Sequence, residues 1–324
     1  MNDDMSPSVA ESHRLIVLGA EGFIGSAMCR YLRRQGIPVL GTVFARPPRE
    51  DEITLDVTNL GDFSRLPRGV PVVNASGILD QRAPPALMRR VHVGGMSNII
   101  GWGRNTGCSH IIQLSSVSVY GNATVGVGRR EETTRRRTMN PLLASLPYGR
   151  TKARAEKMLE KSGLPYSAPR LPAVYGPGDG FLTPQIRRLL RESDRPLPPA
   201  GFHPISLMPV DQVGPLIQIL LERGPLNAAL NAAAAHVPWR EVLDAYGDAW
   251  NLNPDCARRA RLRDFMAFSD PGLQMAVYYG RFGAEFPDDE LRLRTGWHPA
   301  GDWRRTVMEA ARALERISEK ARAS

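Results

Sequence analysis

Lysine is nearly missing from this chain: Lys152, Lys157, Lys161 and Lys320 are its four, against 38 arginines. The formal charge is still +9. Such a field attracts anions, nucleotides among them. No nucleic-acid-binding module accompanies it, and aromatic residues do not interleave with the basic ones. The arginines therefore read as a solvated surface, with nucleic acid excluded as a partner. Cysteine is scarce too. Cys29, Cys108 and Cys256 are odd in number and far apart. That argues against a disulfide framework, leaves no pair at metal-ligand spacing, and points to the cytoplasm with no metal. No apolar run approaches the roughly 18 residues a membrane-spanning helix needs. The stretch from Met1 to Ser12 carries Asp3, Asp4 and Glu11, and lacks the basic start and apolar core of a secretory signal. What is present, 324 residues with 42% hydrophobic and 23% charged, is a globular composition with room for one large domain or two modest ones.

Short apolar runs alternate with helical patterns. Arg14–Leu18 reads as a buried strand. From Gly22 to Gln35, the residues Phe23, Ile24, Ala27, Met28, Tyr31 and Leu32 recur at helical spacing, and Gly36 closes the helix. Strands are expected at Val39–Phe44, Ile53–Leu55, Val70–Asn74 and His110–Ser115. Helices are expected at about Ala86–Asn105 and at Tyr148–Lys161, the second opened by Pro147. This alternation predicts parallel βαβ units, an α/β fold with a doubly wound parallel sheet. Beyond Arg170 the texture changes, with nine prolines from Pro172 to Pro215. Residues 12–174 are therefore expected to form the doubly wound part. Residues 175–324 should form a smaller mixed part whose strands can interleave with the first. The run Arg129–Thr138 (RREETTRRRT) reads as a charged, solvated insertion.

Two segments carry chemistry. Gly19-Ala20-Glu21-Gly22-Phe23-Ile24-Gly25 joins the first strand to the first helix. Gly19 permits the tight turn, Gly22 lets backbone N–H groups approach a pyrophosphate, and Gly25 allows close helix–strand packing. Tyr148-Gly-Arg-Thr-Lys152 sets a phenol and an ammonium one helical turn apart on one face. A neighbouring Lys⁺ favours phenolate and would bring Tyr148 down from about pH 10 toward the working range of an acid/base. Ser115 and Ser116 end the fifth strand, at the edge where ligands sit in an open parallel sheet. A hydroxyl there can hydrogen-bond a reacting carbonyl or alcohol oxygen.

Taken in order, these segments resemble the extended short-chain dehydrogenase/reductases, the NAD(P)-dependent epimerase/dehydratase group, and the likeness covers most of the chain. Leu18–Gly25 (LGAEGFIG) is similar to the family's cofactor turn, which includes Phe23 and Ile24. Leu55–Asn59 (LDVTN) resembles an adenine-contacting segment and points to Asp56 and Val57. Val72–Gly77 (VVNASG) resembles the cofactor segment of strand four, with Ala75, Ser76 and Gly77. Leu114–Gly121 (LSSVSVYG) resembles the strand of the catalytic serine, Ser116, and YGRTK supplies Tyr148 and Lys152. Arg170–Asp179 (RLPAVYGPGD) resembles the strand beside the nicotinamide, with Pro172. PVDQVG at Pro209 and TGWHP at Thr295 match later landmarks. The resemblance implies a dinucleotide-binding (Rossmann) part, a substrate-binding part, and hydride transfer at a carbon bearing a hydroxyl or ketone. In it Tyr148 is the acid/base, Ser116 polarises the substrate oxygen, and Lys152 lowers the tyrosine pKa and binds the cofactor.

The chain also departs from that pattern. Sugar-dehydrating relatives carry an Asp-Glu pair after the active-strand serine or threonine. Here Val117 and Ser118 follow Ser116, which disfavours 4,6-dehydration and leaves reduction, oxidation or epimerisation. His92 stands where many relatives have asparagine, and is expected to pack with its ring bonded to backbone. NAD-preferring relatives end the second strand with an acid, but none occurs between Val43 and Glu50. Arg46 could pair with a 2′-phosphate, and Arg49 is a less direct candidate, so the expected cofactor is NADP ahead of NAD. Residues 201–214 lack the arginine pattern of nucleotide-sugar enzymes, whereas Arg281 stands where relatives contact a diphosphate. The leading expectation is therefore a reductase or epimerase of a sugar-like small molecule, nucleotide-linked or not. The alternatives are an NADPH-dependent ketoreductase of a steroid-like or polyketide-like carbonyl and, against the retained Tyr–Lys pair, a non-catalytic cofactor-binding protein. Family habit further implies a homodimer through helices 86–105 and 148–161, with Ala155, Met158 and Leu159 free to pack. No membrane partner is expected.

Overall fold

The computed structural model describes residues 15–80, 83–121, 131–134, 147–191, 203–254 and 283–323. Arg14, Cys256, Arg281 and most of the Arg129–Arg137 run lie outside these residues. The first strand, β1 (Leu15–Leu18), is buried along its whole length, as an apolar run covered on both faces must be. It leads into α1 (Phe23–Arg34), whose buried residues Gly25, Met28, Cys29 and Leu32 share one stripe. β2 (Val39–Val43), β3 (Glu52–Thr54) and β4 (Val72–Asn74) follow.

The long helix expected at 86–105 is interrupted. It runs as α2 (Pro85–Arg89), a π-helical turn (Arg90–Gly94), then α3 (Gly95–Thr106), and ends where Gly107 adopts φ 69°. The extra residue of the π turn re-aims the helix at His92. After β5 (Ile111–Gln113) and β6 (Ser115–Ser116) comes α4 (Pro147–Glu160), and then β7 (Tyr166–Leu171). β8 (Ala173–Tyr175), α5 (Leu182–Arg191), β9 (Pro204–Pro209) and α6 (Val213–Arg223) precede β10 (Ala228–Asn231). The chain goes on to β11 (Ala235–Pro238), α7 (Trp239–Trp250), α8 (Asp289–Thr295) and α9 (Trp303–Ala323).

The main sheet has the order β10-β7-β5-β4-β1-β2-β3, with β6 also beside β7, and every registered pair is parallel. The chain winds one way from β1 to β3 and the other way from β4 onward. The switch lies between β1 and β4, where this architecture leaves a crevice at the carboxyl ends of its strands. A three-stranded mixed sheet, β11-β9-β8, packs with α5, α7 and α9 around Trp239, Tyr246 and Tyr175. The strands interleave: β8 belongs to the small sheet, and β10 returns to the large one.

Two residues expected at a dimer interface are internal. Ala155 and Leu159 of α4 sit in the core with Ile99, Ile111 and Tyr166, and Met158 packs against that cluster. The outward residues of α4 are instead Arg150, Arg154, Lys157 and Glu160. The apolar positions of α4 are consumed by its own sheet.

Candidate active site

At the crevice, the glycine turn fits against the loop after β4 with no room to spare. Gly19 has φ 78°, and a Cβ there would lie 2.9 Å from the backbone of Ser76. A Cβ on Gly25 would overlap the Gly19 carbonyl. Gly22 meets no such obstacle and is exposed. The start of α1 has no side-chain cap and no acid in its first turn, so its N–H groups are left for an anion. Phe23 and Ile24, half-buried, open this helix. Across the crevice, the Ser76 N–H and hydroxyl donate to Asn74 Oδ1 at 3.1 and 2.5 Å, and Ala75 N–H donates to the Leu18 carbonyl at 3.0 Å. A Cβ on Gly77 would stand 3.1 Å from His92 Nε2 and 3.5 Å from Lys152 Nζ. Bareness at residues 22 and 77 and donors at the helix start suit a pyrophosphate-linked dinucleotide.

Ser116 and Tyr148 meet at the same edge, the serine hydroxyl close enough to act on the phenol. The contact depends on Gly149, because a Cβ there would overlap the Ser118 carbonyl and push α4 off the turn after β6. Lys152 Nζ donates to the Leu114 carbonyl at 3.0 Å and lies 5.9 Å from the centre of the Tyr148 ring. Burial pushes the Tyr148 hydroxyl up to about 12, against the Ser116 hydroxyl, which pulls it down. Burial likewise lowers Lys152 to about 8, against Glu156, which holds its charge. The sequence reading has Lys152 lowering the tyrosine pKa. In the protein alone burial dominates, opposed by the Ser116 hydroxyl and not by Lys152, and the phenol stays protonated.

His92 does pack with its ring bonded to backbone. Nε2 accepts from Ile78 N–H at 3.0 Å, so Nδ1 carries the proton and donates to Thr151 Oγ1 at 2.7 Å. Thr151 in turn donates back within the first turn of α4, to the carbonyl of Pro147 or Tyr148. The ring stands edge-on to Tyr148 at 5.6 Å. Burial, then the Lys152 charge, lowers His92 to about 3, which keeps it neutral. Below α4, Arg170 grips Glu156 with two bonds, 3.0 and 2.8 Å, and donates to the Tyr120 hydroxyl at 2.8 Å. Ser115 donates to the same carboxylate at 2.5 Å.

The chain was compared with known proteins. Residues 15–206, more than half of it, match the model of the NAD dependent epimerase/dehydratase family. The chain belongs to this family. A dTDP-4-dehydro-6-deoxy-D-allose reductase from a Streptomyces species is 30% identical over 190 residues, 52% of this chain and 57% of that protein. The match thus spans little more than half the length of the curated relative. Two solved structures share the fold. WbmG of Bordetella bronchiseptica, solved with NAD and UDP, has a TM-score of 0.72 at 18% identity, covering 94% of this chain and 95% of that one. RMD of Pseudomonas aeruginosa, solved with NADPH, has a TM-score of 0.70 at 20% identity, covering 94% and 100%.

Several of the expected residues lie near one another: Gly19 and Gly25 come together, Gly19 backs onto Ala75 and Ser76, Gly77 lies near Lys152, and Lys152 lies near the Tyr148 ring. Pro172 is buried between β7 and β8. Asp56 and Val57 also make structural contacts. Asp56 Oδ1 accepts from Thr58 N–H at 2.8 Å, and Val57 packs in the core with its carbonyl bonded to Asn98. Arg46 is engaged elsewhere in the protein alone. Its guanidinium is held two-pronged by Glu52 at 2.6 and 2.8 Å rather than offered to a phosphate. The search for an acid along β2 missed Glu21, which reaches the strand end from the glycine turn. Gly149, Thr151 and Glu156 were missed as well, although all three lie within a few residues of Tyr148 or Lys152. Among the described residues no cluster of three His, Cys, Asp or Glu could hold a metal, and no helix is long and apolar enough to cross a membrane.

Proposed function

We propose that the protein is an NAD(P)-dependent reductase of a ketone on a nucleotide-linked sugar. The observation that carries this is the meeting of Ser116, Tyr148 and Lys152 at one sheet edge, with Lys152 Nζ 5.9 Å from the centre of the Tyr148 ring, near the uncapped start of α1. The reductase match over residues shared with the Streptomyces protein supports the substrate class. The bound nicotinamide dinucleotide supplies the hydride to the carbonyl carbon. Ser116 holds the carbonyl oxygen, and Tyr148 gives its hydroxyl proton to that oxygen as the alcohol forms. Lys152, charged below its lowered pKa of about 8 and steadied by the Leu114 carbonyl, stabilises the phenolate left behind. Val117 is buried and Ser118 carries no carboxyl, so the acid pair of sugar dehydration is missing after Ser116. Either nicotinamide dinucleotide suits this reading, and Arg46, which pairs with Glu52 in the protein alone, was the ground for expecting NADP ahead of NAD. A cytoplasmic location belongs to the same reading and suits the buried free thiols Cys29 and Cys108. A homodimer remains the family-based expectation, for light scattering to test.

The experiment offers dTDP-linked 4-keto-6-deoxy sugars and simple steroid-like or polyketide-like ketones, each with NADH and NADPH, and follows absorbance of the reduced nicotinamide. Oxidation with the nucleotide sugar is expected. Turnover of the simple ketones alone overturns the substrate class. Interconversion of sugar epimers with no net nicotinamide oxidation makes the protein an epimerase instead.

A further inference from the structure

The charges at the carboxyl end of β2 are arranged in a way the sequence does not suggest. Glu21 lies in the glycine turn, yet its carboxylate is bound at the end of the second strand. Oε1 accepts from Phe44 N–H at 2.8 Å and from Ala45 N–H at 3.0 Å, and Oε2 accepts from Ala45 N–H at 3.2 Å. The turn is pinned to β2: Ala20 N–H donates to the Thr42 carbonyl at 2.9 Å, and Gly19 N–H donates to Thr42 Oγ1 at 3.2 Å. Gly41 makes the approach possible, since a Cβ there would lie 2.9 Å from Ala20 Cβ. The nearby cation is occupied. Glu52 binds Arg46 through both carboxylate oxygens, and the Pro47 carbonyl accepts from the same guanidinium at 2.9 Å. Phe44 stands 66% exposed beside this pair, an apolar ledge at the sheet edge.

We propose that Glu21 sets the dinucleotide preference of this protein, and that it selects NAD(H) against NADP(H). The inference rests on the reading that the glycine turn binds a dinucleotide. In this architecture the adenosine ribose lies at the end of β2, where a carboxylate accepts hydrogen bonds from its hydroxyls. Glu21 supplies that carboxylate from the turn rather than from the strand. A 2′-phosphate meets two obstacles there. It is an anion brought against an anion. The two backbone N–H groups that would receive it, at residues 44 and 45, already serve Glu21. Arg46 offers no remedy while Glu52 holds it.

The test measures dissociation constants of NADH and NADPH, by calorimetry or by nicotinamide fluorescence, in wild type, Glu21→Gln, Glu52→Gln and Arg46→Ala. Wild type should bind NADH more tightly by about tenfold or more, the scale of one like-charge contact near a protein surface. Glu21→Gln keeps the amide oxygen that Phe44 and Ala45 bond, and should cut the ratio several-fold. Glu52→Gln releases Arg46 and should move the ratio the same way. Arg46→Ala should leave it unchanged. Tighter NADPH binding by wild type, or a ratio unmoved in Glu21→Gln, overturns the inference while leaving dinucleotide binding intact. Binding of neither dinucleotide overturns both the inference and the function it rests on.

Discussion

Two arginine–glutamate pairs flank the crevice, alike in geometry and opposite in surroundings. Arg170 and Glu156, beneath the Tyr148 helix, are 4% and 1% exposed in their side chains. Arg46 and Glu52, at the outer end of β2, are 31% and 5% exposed. At the inner pair water is gone, and every polar atom needs a partner. Tyr120 and Ser115 supply two of those partners, so the pair is welded into a network that fixes α4. At the outer pair solvent reaches Arg46 and screens its charge, while the covered Glu52 keeps a further bond from the Arg49 N–H, so the pair does less for stability. Under the proposal made for Glu21, it also withholds a cation from a ligand. The same chemistry thus builds the framework at one end and is proposed to filter ligands at the other.

The largest expected effect lies at the inner end. Tyr148→Phe keeps the ring and its edge contact with His92 but loses the proton. Turnover should fall by roughly 10²–10⁴, the contribution of a positioned acid/base group, with dinucleotide affinity within a few-fold of wild type. Single-turnover kinetics beside a binding titration separate the two, and wild-type turnover would remove Tyr148 from the reaction. Next is Arg170→Met, which strands Glu156 as a buried charge. A loss of about 3–5 kcal/mol is expected in chemical denaturation. The double variant Arg170→Met/Glu156→Leu should recover much of it, and a single variant as stable as wild type would show the pair to be idle.

Gly149→Ala tests whether the fit of α4 against Ser118 sets the Ser116–Tyr148 contact. Overpacking of this kind costs about 1–3 kcal/mol, and kcat should drop more than KM rises. A variant that loses stability but keeps kcat would uncouple the fit from the chemistry. The fourth effect depends on pH. An unfolded His92 takes up a proton near its ordinary value of 6.5, whereas the folded one, lowered by burial, does not until about 3. The unfolded state therefore binds more protons between those limits, and stability falls as pH drops through the window. His110, lowered by burial to about 4, adds to the same slope. His92→Asn should lose less stability than wild type between pH 6.5 and about 4, and equal slopes would mean His92 is charged in the fold. Smallest of all is Arg46→Ala, which should leave the denaturation midpoint where it was. A clear drop would mean the outer pair belongs to the framework after all.

The inner end was legible in the sequence because its parts are local. GAEGFIG, LSSVSVYG and YGRTK are each one unbroken segment, and parallel-sheet topology carries their ends to one edge. The strands up to Ser116 were legible for the same reason, within a residue or two, with His110–Ser115 divided between β5 and β6, whereas β7 and β9 to β11 were given no ranges. The outer end was not. Glu21 and Phe44 are 23 residues apart, and their contact depends on how the turn sits on β2, a register no single segment encodes. The π turn escaped because one inserted residue barely disturbs apolar spacing over a helix of this length. The free face assigned to Ala155, Met158 and Leu159 failed because Ala155 and Leu159 are buried in the core between the sheet and α3, and Met158 packs against that cluster.

The return of β10 has a consequence for how the chain is made. β10 pairs with β7 at Ala228–Ser167 through Asn231–Arg170, after an excursion of more than fifty residues through the smaller sheet. On the ribosome, β7 is complete long before its outer neighbour exists. Until residue 231 has emerged, one flank of β7 shows a row of unsatisfied backbone donors and acceptors, an invitation to pairing with another nascent chain. The large sheet cannot close until β8 and β9 of the small one have been made. A nascent fragment stopped near residue 175 should be sticky and chaperone-dependent, while one extended past residue 231 should not.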